Sequence, residues 1–384
     1  MEIAFYAPLK APDHPVPSGD RRMAGLLLAA LRAAGHDATL ASRLRGYEGR
    51  GNSTCQARIR AAGATEAEAL VNRFRALPAV QRPRTWFTYH LYHKAPDWLG
   101  PAVSQALAIP YVVAEASFAA KQADGPWAEG HAAVAAAIGR AGAILTLTGD
   151  DRAGLCPLMD DSERLIALAP FLEPAPSGAA HAARDEHRGR LAGPLGLDES
   201  IPWLLTVAMM RPGDKLESYQ RLGAALVALG DQRWQLLVVG DGPARSAVEA
   251  ALGGLGEGRV VYAGERPQDA LPAFYGAADL MVWPAVNEAY GMALLEAQAA
   301  GLPVVAGRVR GVSDVVDNGK TGLLTRDGDV AGFGRAVARL LHDPGLRHAL
   351  GRAARDSVAA HHGLDQAAAT LNHALTVAMA VAAS

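Results

Sequence analysis

Twelve short apolar and β-branched runs, in two sets of six, alternate with Ala/Leu-rich stretches of helical period, and few folds accept that pattern. The first set is EIAFYA (2–7), DATLAS (37–42), RTWFTY (84–89), PYVVAE (110–115), AILTL (143–147) and RLIALAP (164–170). The second is WLLTVAMM (203–210), WQLLVVG (234–240), RVVYAG (259–264), DLMVWP (279–284), PVVAG (303–307) and TGLLT (321–325). Helical segments lie between them, such as RRMAGLLLAALRAAG (21–35), which closes on a glycine. Strand–helix–strand alternation predicts a parallel sheet with helices on both faces. Two sets predict two domains, with PFLEPAPSGAAHAARDEHRGR (170–190) as the linker, because it is rich in Pro, Ala, Gly and charge and lacks an apolar period. Three more helices are expected near 329–342, 345–360 and 365–382. Ligands of open parallel sheets bind beyond the carboxyl ends of the strands, so the expected site is a cleft between two facing domains.

Composition narrows the function. The chain has 384 residues, 50% of them hydrophobic and 20% charged, with a formal net charge of −2, so no global charge points to nucleic acid. The first 100 residues are locally basic, with 14 Lys and Arg against 8 Asp and Glu. Arg43, Arg45, Arg50, Arg58 and Arg60 supply most of that excess. It reads either as a solvated face or as a surface that meets an acidic acceptor or anionic lipid heads. Two cysteines, Cys55 and Cys156, make neither a disulfide framework nor a zinc site. The opening MEIAFYAPLK starts a strand and lacks the layout of a signal peptide. No apolar run reaches the roughly 18 residues of a membrane span. The expected location is cytoplasmic, with any membrane contact peripheral on the inner face.

Chemistry concentrates at 287–305, NEAYGMALLEAQAAGLPVV. Glu288 and Glu296 stand eight residues apart, and Asn287 and Gly291 bracket a turn that puts Glu288 in a loop ahead of a helix. If both were helical, a rise of about 1.5 Å per residue would separate them by roughly 12 Å. That exceeds the roughly 5–9.5 Å that carboxylates need to flank one glycosidic bond. They read instead as clamps at two ends of a long ligand. A nucleotide sugar has that length and offers hydroxyls at both ends, which carboxylates accept in bidentate fashion. The backbone N–H groups of Tyr290, Gly291 and Met292 would meet its diphosphate at the helix start. Gly291 would let the backbone come close. The competing reading is a helix start carrying Glu for its dipole, beside a stray buried Glu.

This stretch resembles the retaining glycosyltransferases of family 4, whose hallmark is E-x7-E followed by small residues, Gly and Pro. LLVVGDGPARSAVEAAL (236–252), VVYAGERPQDALPAFYGAADLMVWPAVNEAYG (260–291) and VRGVSDVVDNGKTGLL (309–324) extend the resemblance. It covers roughly 203–345, and 1–170 by topology. The resemblance implies a GT-B α/β fold: a first domain at 1–180, a nucleotide-sugar-binding domain at 190–362, and a closing helix at 363–384 that crosses back. HHGLD (361–365) would be the crossing turn. It implies that Glu296 holds the nucleotide ribose and that Glu288 touches the donor sugar. It places Arg211 and Lys215, in VAMMRPGDKLESY (207–219), on the departing diphosphate in place of a metal ion. The family sets its Arg five residues before its Lys; here Met210 fills that slot. The implied activity is sugar transfer from a nucleotide diphosphate sugar to an acceptor hydroxyl, with retention and without metal or other cofactor. The acceptor, whether glycan, lipid or small molecule, is not specified.

In the first domain, HPVPSGDRRMAGLL (14–27) is a Pro/Gly loop opening a helix. The family has a glycine-rich loop there, and Gly19 is its matching flexible element, with Ser18 beside it. An ordinary turn capped by Asp20 is the alternative. His90, His93 and Lys94, in TYHLYHKAPDWLG (88–100), and Glu115, in AEASF (114–118), are acceptor-side candidates. GDG at 240–242 is a weak dinucleotide fingerprint, since Arg245 stands where a third glycine belongs. No G-x-x-x-x-G-K-[ST], H-E-x-x-H or G-x-S-x-G occurs. A nucleotide-sugar epimerase or hydrolase on the same fold, and a non-catalytic nucleotide-sugar-binding protein, are the alternatives to a transferase.

Overall fold

A computed structural model of the chain describes residues 1–16, 18–173, 183–309 and 311–383. Pro17 of the expected loop, Arg310 of the third matching stretch and the middle of the expected linker (174–182) lie outside them. The chain divides into two compact units, Met1–Ala169 with the residues from Leu364 onward, and Pro170–Gly363.

The N-terminal unit is built on β1 (Glu2–Tyr6), β2 (Asp37–Leu40), β3 (Thr85–Leu91), β4 (Tyr111–Ala116), β5 (Ala143–Thr146) and β6 (Leu165–Ala167). They form one sheet in the order β2-β1-β3-β4-β5-β6, and every pairing is parallel. Its connections carry α1 (Gly19–Ala33), α2 (Ser53–Ala76), α3 (Gly100–Leu107), α4 (Ala128–Arg140) and α5 (Gly149–Leu155). Burial on both faces explains why β4 is apolar at nearly every position and buried at all of them. Ser18, not Asp20, caps α1: its hydroxyl accepts from the Arg21 N–H at 3.2 Å.

The second unit uses β7 (Trp203–Val207), β8 (Gln235–Val239), β9 (Val260–Gly264), β10 (Leu280–Trp283), β11 (Val304–Arg308) and β12 (Gly322–Arg326). Its order is β12-β11-β10-β7-β8-β9, again parallel throughout. Its helices are α6 (Arg184–Leu195), α7 (Asp214–Val227), α8 (Arg245–Leu252), α9 (Leu271–Ala277), α10 (Met292–Ala299), α11 (Val312–Val315), α12 (Val330–His342) and α13 (Pro344–His361). The last helix, α14 (Leu364–Ala383), packs on α1 and β5 of the N-terminal unit. There Gly142 approaches the Ala378 backbone so closely that a Cβ would stand 3.0 Å from its Cα.

Two details depart from the expected linker. Leu172 is buried in the core of the second unit and donates its N–H to His362 O at 2.9 Å, so packing there begins before the Pro-rich stretch. The charged run at 184–190 opens α6. Its arginines are structural: Arg184 and Arg188 reach Asp279 at 2.9 and 3.0 Å, at the entry of β10. Arg188 also donates to the carbonyls of Ala277 and Glu199. Arginine spacing that reads as linker polarity is here a clamp of α6 onto the sheet.

Candidate functional site

In the second unit β7 and β10 are neighbours, yet the chain leaves β7 toward β8 and β10 toward β11, in opposite directions. The crevice beyond their carboxyl ends is the topological switch point, where open parallel sheets bind ligands. Both loops there carry the expected residues. Lys215 is in the first turn of α7, and Glu288 is in the loop between β10 and α10.

That loop is held in an unusual path. Ala285 and Asn287 have φ of 61° and 50°, and Gly291 has 69°. Positive φ at a non-glycine residue costs on the order of 1–3 kcal/mol and persists only where neighbours enforce it. Helix α7 supplies the enforcement. Ser218 Oγ accepts from the Val286 N–H at 3.0 Å, and Asp214 accepts from Asn287 Nδ2 at 2.8 Å. The loop thus carries Glu288 to Lys215, with which it forms a half-buried ion pair. Trp283 Nε1 donates to the same carboxylate oxygen at 3.2 Å. The Lys215 ammonium stands 5.4 Å from the Trp283 ring centroid, and Tyr219 packs edge-on against that ring. Gly291 opens α10 with no side-chain cap. A Cβ on Gly291 would come within 2.8 Å of Leu294 Cδ1. Tyr290 is half-buried beside it.

Glu296 lies one turn into α10 and is 5% exposed. It is not a stray buried acid. Its carboxylate accepts from the Tyr275 hydroxyl at 2.7 Å and from Gln268 Nε2 at 3.3 Å. A charge this buried needs hydrogen-bond donors, and α9 and the turn before it deliver both.

Arg211 and Lys215 part company. Met210 is fully buried, its N–H donates to Asp241 O at 2.8 Å, and its carbonyl accepts from Ala244 N at 2.9 Å. Arg211 follows it onto the surface, exposed. The same pairing explains the GDG turn. Cβ atoms on Gly240 and Gly242 would stand 2.0 Å from Ala208 O and 2.4 Å from Met210 O. These glycines admit the backbone of the neighbouring loop.

In the N-terminal unit β1 and β3 flank the switch point, and a second charged cluster stands there. His90 and Glu115 are the next-to-last residues of β3 and β4, both at positive φ, 62° and 61°. His90 Nδ1 is 3.0 Å from Asp20 and 3.7 Å from Glu115. Burial opposes a charge on His90, but Glu115 and Asp20 outweigh it and push its pKa up to about 9. Burial likewise raises Asp20, and the bond to His90 and its charge bring the carboxyl below its usual range. Burial raises Asp151, which accepts from Thr148 and Ser117 and faces His90. Asp20 escaped the sequence reading except as a cap; the signal available was its place in the first turn after β1, at the switch point.

Gly19 opens α1 and is exposed, and a Cβ there would meet nothing within 4 Å. His93 and Lys94 join a different wall. The Lys94 ammonium sits 4.3 Å from the Trp127 ring centroid and His93 packs edge-on against the same ring. Burial and the neighbouring Lys94 lower the pKa of His93. Asp97, buried under that loop, accepts from Thr88, Tyr111 and the Leu99 and Gly100 N–H groups.

Among the described residues no group of three His, Cys, Asp or Glu side chains converges as a metal ligand set. No described helix is long and apolar enough to cross a membrane.

Residues 202–343 match the family described as Glycosyl transferases group 1. The chain is 33% identical over 236 residues to 2-deoxystreptamine glucosyltransferase of Streptomyces kanamyceticus, a match over 60% of this chain and 59% of that protein. Sucrose-phosphate synthase from Thermosynechococcus elongatus superposes with a TM-score of 0.74 at 21% identity, over 100% of both chains. HepE of Anabaena in complex with UDP-glucose superposes with 0.70 at 15%, also over 100% of both. At those identities the likeness carries the fold alone. Residues 202–343 thus carry a match to the group 1 glycosyl transferases, and the chain has a two-domain α/β fold of GT-B type.

Proposed function

We propose that the chain is a retaining, metal-independent glycosyltransferase of family 4, which moves a sugar from a nucleotide diphosphate sugar to an acceptor hydroxyl. The observation that carries this reading is the pair of carboxylates on either side of the α10 start. Glu296 is buried among neutral donors, and Glu288 is bound to a cation. Glu296 accepts from the ribose hydroxyls of the donor. Glu288 and the backbone at Tyr290, Gly291 and Met292 face the donor sugar and phosphates. Lys215 neutralises the diphosphate as it departs, the work a metal ion does in other transferases. Arg211 joins it only if the loop at 211–213 rearranges. The acceptor belongs to the N-terminal unit, near Gly19, His90 and Glu115, with His93 and Lys94 as outlying candidates. The departing phosphate oxygen takes the acceptor proton as the new bond forms on the same face. HepE, described with UDP-glucose, motivates a UDP-sugar as the first donor to try.

Glu296→Gln tests the assignment because it keeps the shape and an acceptor oxygen for Tyr275. Bonds to a charged acceptor are worth about 1.5–3 kcal/mol and neutral ones about 0.5–1.5, so two ribose bonds lose about 2–3 kcal/mol. Calorimetry with UDP-glucose and a panel of other nucleotide sugars should show affinity for the preferred donor falling about 30- to 150-fold. Unchanged affinity contradicts the ribose assignment. Product analysis with and without an acceptor separates transfer from hydrolysis and epimerisation.

A further inference from the structure

Trp283 is the last residue of β10 and pairs across the ladder with Ala306 of β11. Leu280, Met281 and Val282 precede it, and all four are buried. An aliphatic side chain would fill such a place. Tryptophan adds a donor, and a buried indole N–H needs an acceptor. Trp127 and Trp203 give theirs to the backbone carbonyls of Glu48 and Asp198. Trp283 gives its own to a carboxylate, Oε2 of Glu288, at 3.2 Å. The ring is 3% exposed, and one face of α7 fixes it. Lys215 and Tyr219, four residues apart, share that face. The Lys215 ammonium lies 5.4 Å from the ring centroid. Tyr219 meets the ring edge-on, with 5.1 Å between centroids. Tyr219 is itself anchored, since its hydroxyl donates to Ala208 O at 2.9 Å. The indole is therefore held in one orientation, and that orientation aims its N–H at Glu288.

Lys215 Nζ bonds the same oxygen, Oε2. Among the described residues no donor meets Oε1, so one oxygen carries both bonds and the other is left over. The two donors differ in permanence. Lys215 stands on a flexible stem and carries a charge that an arriving diphosphate attracts. Trp283 is neutral and built into the core, so it stays.

We propose that Trp283 is a positioning residue for the donor sugar: its indole N–H holds Oε2 of Glu288, with or without Lys215, and so leaves Oε1 for a sugar hydroxyl. This rests on the transferase reading above and assigns a residue outside the two-glutamate pattern. Once Lys215 is drawn off, the indole is the bond that keeps the carboxylate from turning toward water. A hydrogen bond to a charged acceptor is worth about 10- to 150-fold in an equilibrium.

The test uses the full chain and three variants: Trp283→Phe, Glu288→Gln and the two combined. Phenylalanine keeps an aromatic face for Lys215 and Tyr219 and removes the N–H. Calorimetry with UDP and UDP-glucose, or with the preferred nucleotide sugar of the panel and its nucleoside diphosphate, gives the ratio of the two dissociation constants. In Trp283→Phe the sugar-bearing donor should weaken at least about tenfold relative to the bare nucleotide, whose own affinity should hold within about twofold. In the Glu288→Gln background the same change should alter the ratio less than about twofold, because Trp283 acts through Glu288. A general disturbance of the crevice would instead weaken both ligands alike and add to the effect of Glu288→Gln. Indole NMR on isotope-labelled protein supplies a measurement that needs no variant of Trp283. Of the six tryptophans, Glu288→Gln should move one indole N–H resonance upfield, as its charged acceptor is lost. An unchanged ratio in Trp283→Phe, additive effects in the double variant, or six indole resonances indifferent to Glu288→Gln overturns the proposal. Any of these, in a wild-type protein that binds both ligands, sinks only this inference. Wild-type protein that binds no nucleotide sugar of the panel sinks the transferase reading, and this inference with it.

Discussion

His90 offers a measurable consequence of the charged cluster in the N-terminal unit. Its ring lies between Asp20 and Glu115, 17% exposed, and its pKa rises from 6.5 to about 9. A raised folded-state pKa means that the folded protein binds the proton more tightly than the unfolded chain. The resulting stabilisation is fully present below about pH 6.5, falls as pH rises, and is gone above about pH 9. At 1.36 kcal/mol per unit, the gap corresponds to at most about 3 kcal/mol. His90→Asn removes the titration while keeping a side chain that tolerates the left-handed backbone at φ 62°. The stability of wild type minus variant, from denaturant melts across about pH 6 to pH 10, should therefore shrink by up to about 3 kcal/mol. Histidine NMR gives the independent reading: the resonance missing from His90→Asn should titrate well above 6.5 in wild type, and Glu115→Gln should move it down. A His90 that titrates at or below its ordinary value refutes the reasoning, because the two carboxylates would then not outweigh burial.

Lys215→Ala should lower kcat by about 10²- to 10³-fold with little change in KM, since the charge it meets develops in the transition state. Steady-state turnover checks this, and full turnover would remove Lys215 from the chemistry. Gly242→Ala should cost about 3 kcal/mol or more, because φ is 150° and the new methyl meets Met210 O. A calorimetric Tm about 6–12 °C lower is the expected readout. Gly19→Ala, with open space at its Cβ, should leave Tm unchanged or higher, so any loss of activity there reports on ligand approach.

The strands were legible because sheets buried on both faces demand unbroken apolar runs. The misjudged ends have local causes. The run at 203–210 stops as a strand at Val207 because residues 208–210 turn to pair with the GDG turn. The glycines that permit this looked like a ligand motif because close backbone approach and phosphate approach ask for the same residue. The turn at Asn287–Gly291 was legible from residue types alone. Partnerships were not: Lys215 and Glu288 are 73 residues apart, His90 and Asp20 are 70, and Tyr275 and Glu296 are 21. Such pairs are decided by strand order, which periodicity does not encode. The run at 184–190 misled for the same reason, since Asp279 lies far along the chain.

Strand order also connects the two clusters. The sheets have different orders, yet each places its charged groups where consecutive connections diverge, between β1 and β3 and between β7 and β10. Those are the positions where opposed helices leave a crevice that the fold does not fill. Within the second unit the environments of the two glutamates then suggest an order of events. Glu296 is surrounded by neutral donors, so it keeps its partners while accepting from a ribose. Glu288 is bound to Lys215, and a cation held by a carboxylate is not available to a diphosphate. Under the proposed function, the arriving diphosphate competes for Lys215, and Glu288, still steadied by Trp283, is released toward the sugar hydroxyls. Seating the leaving group and freeing the carboxylate that grips the sugar become one event. A nucleoside diphosphate lacking the sugar should then suffice to break the Lys215–Glu288 pair, whereas a free sugar should not.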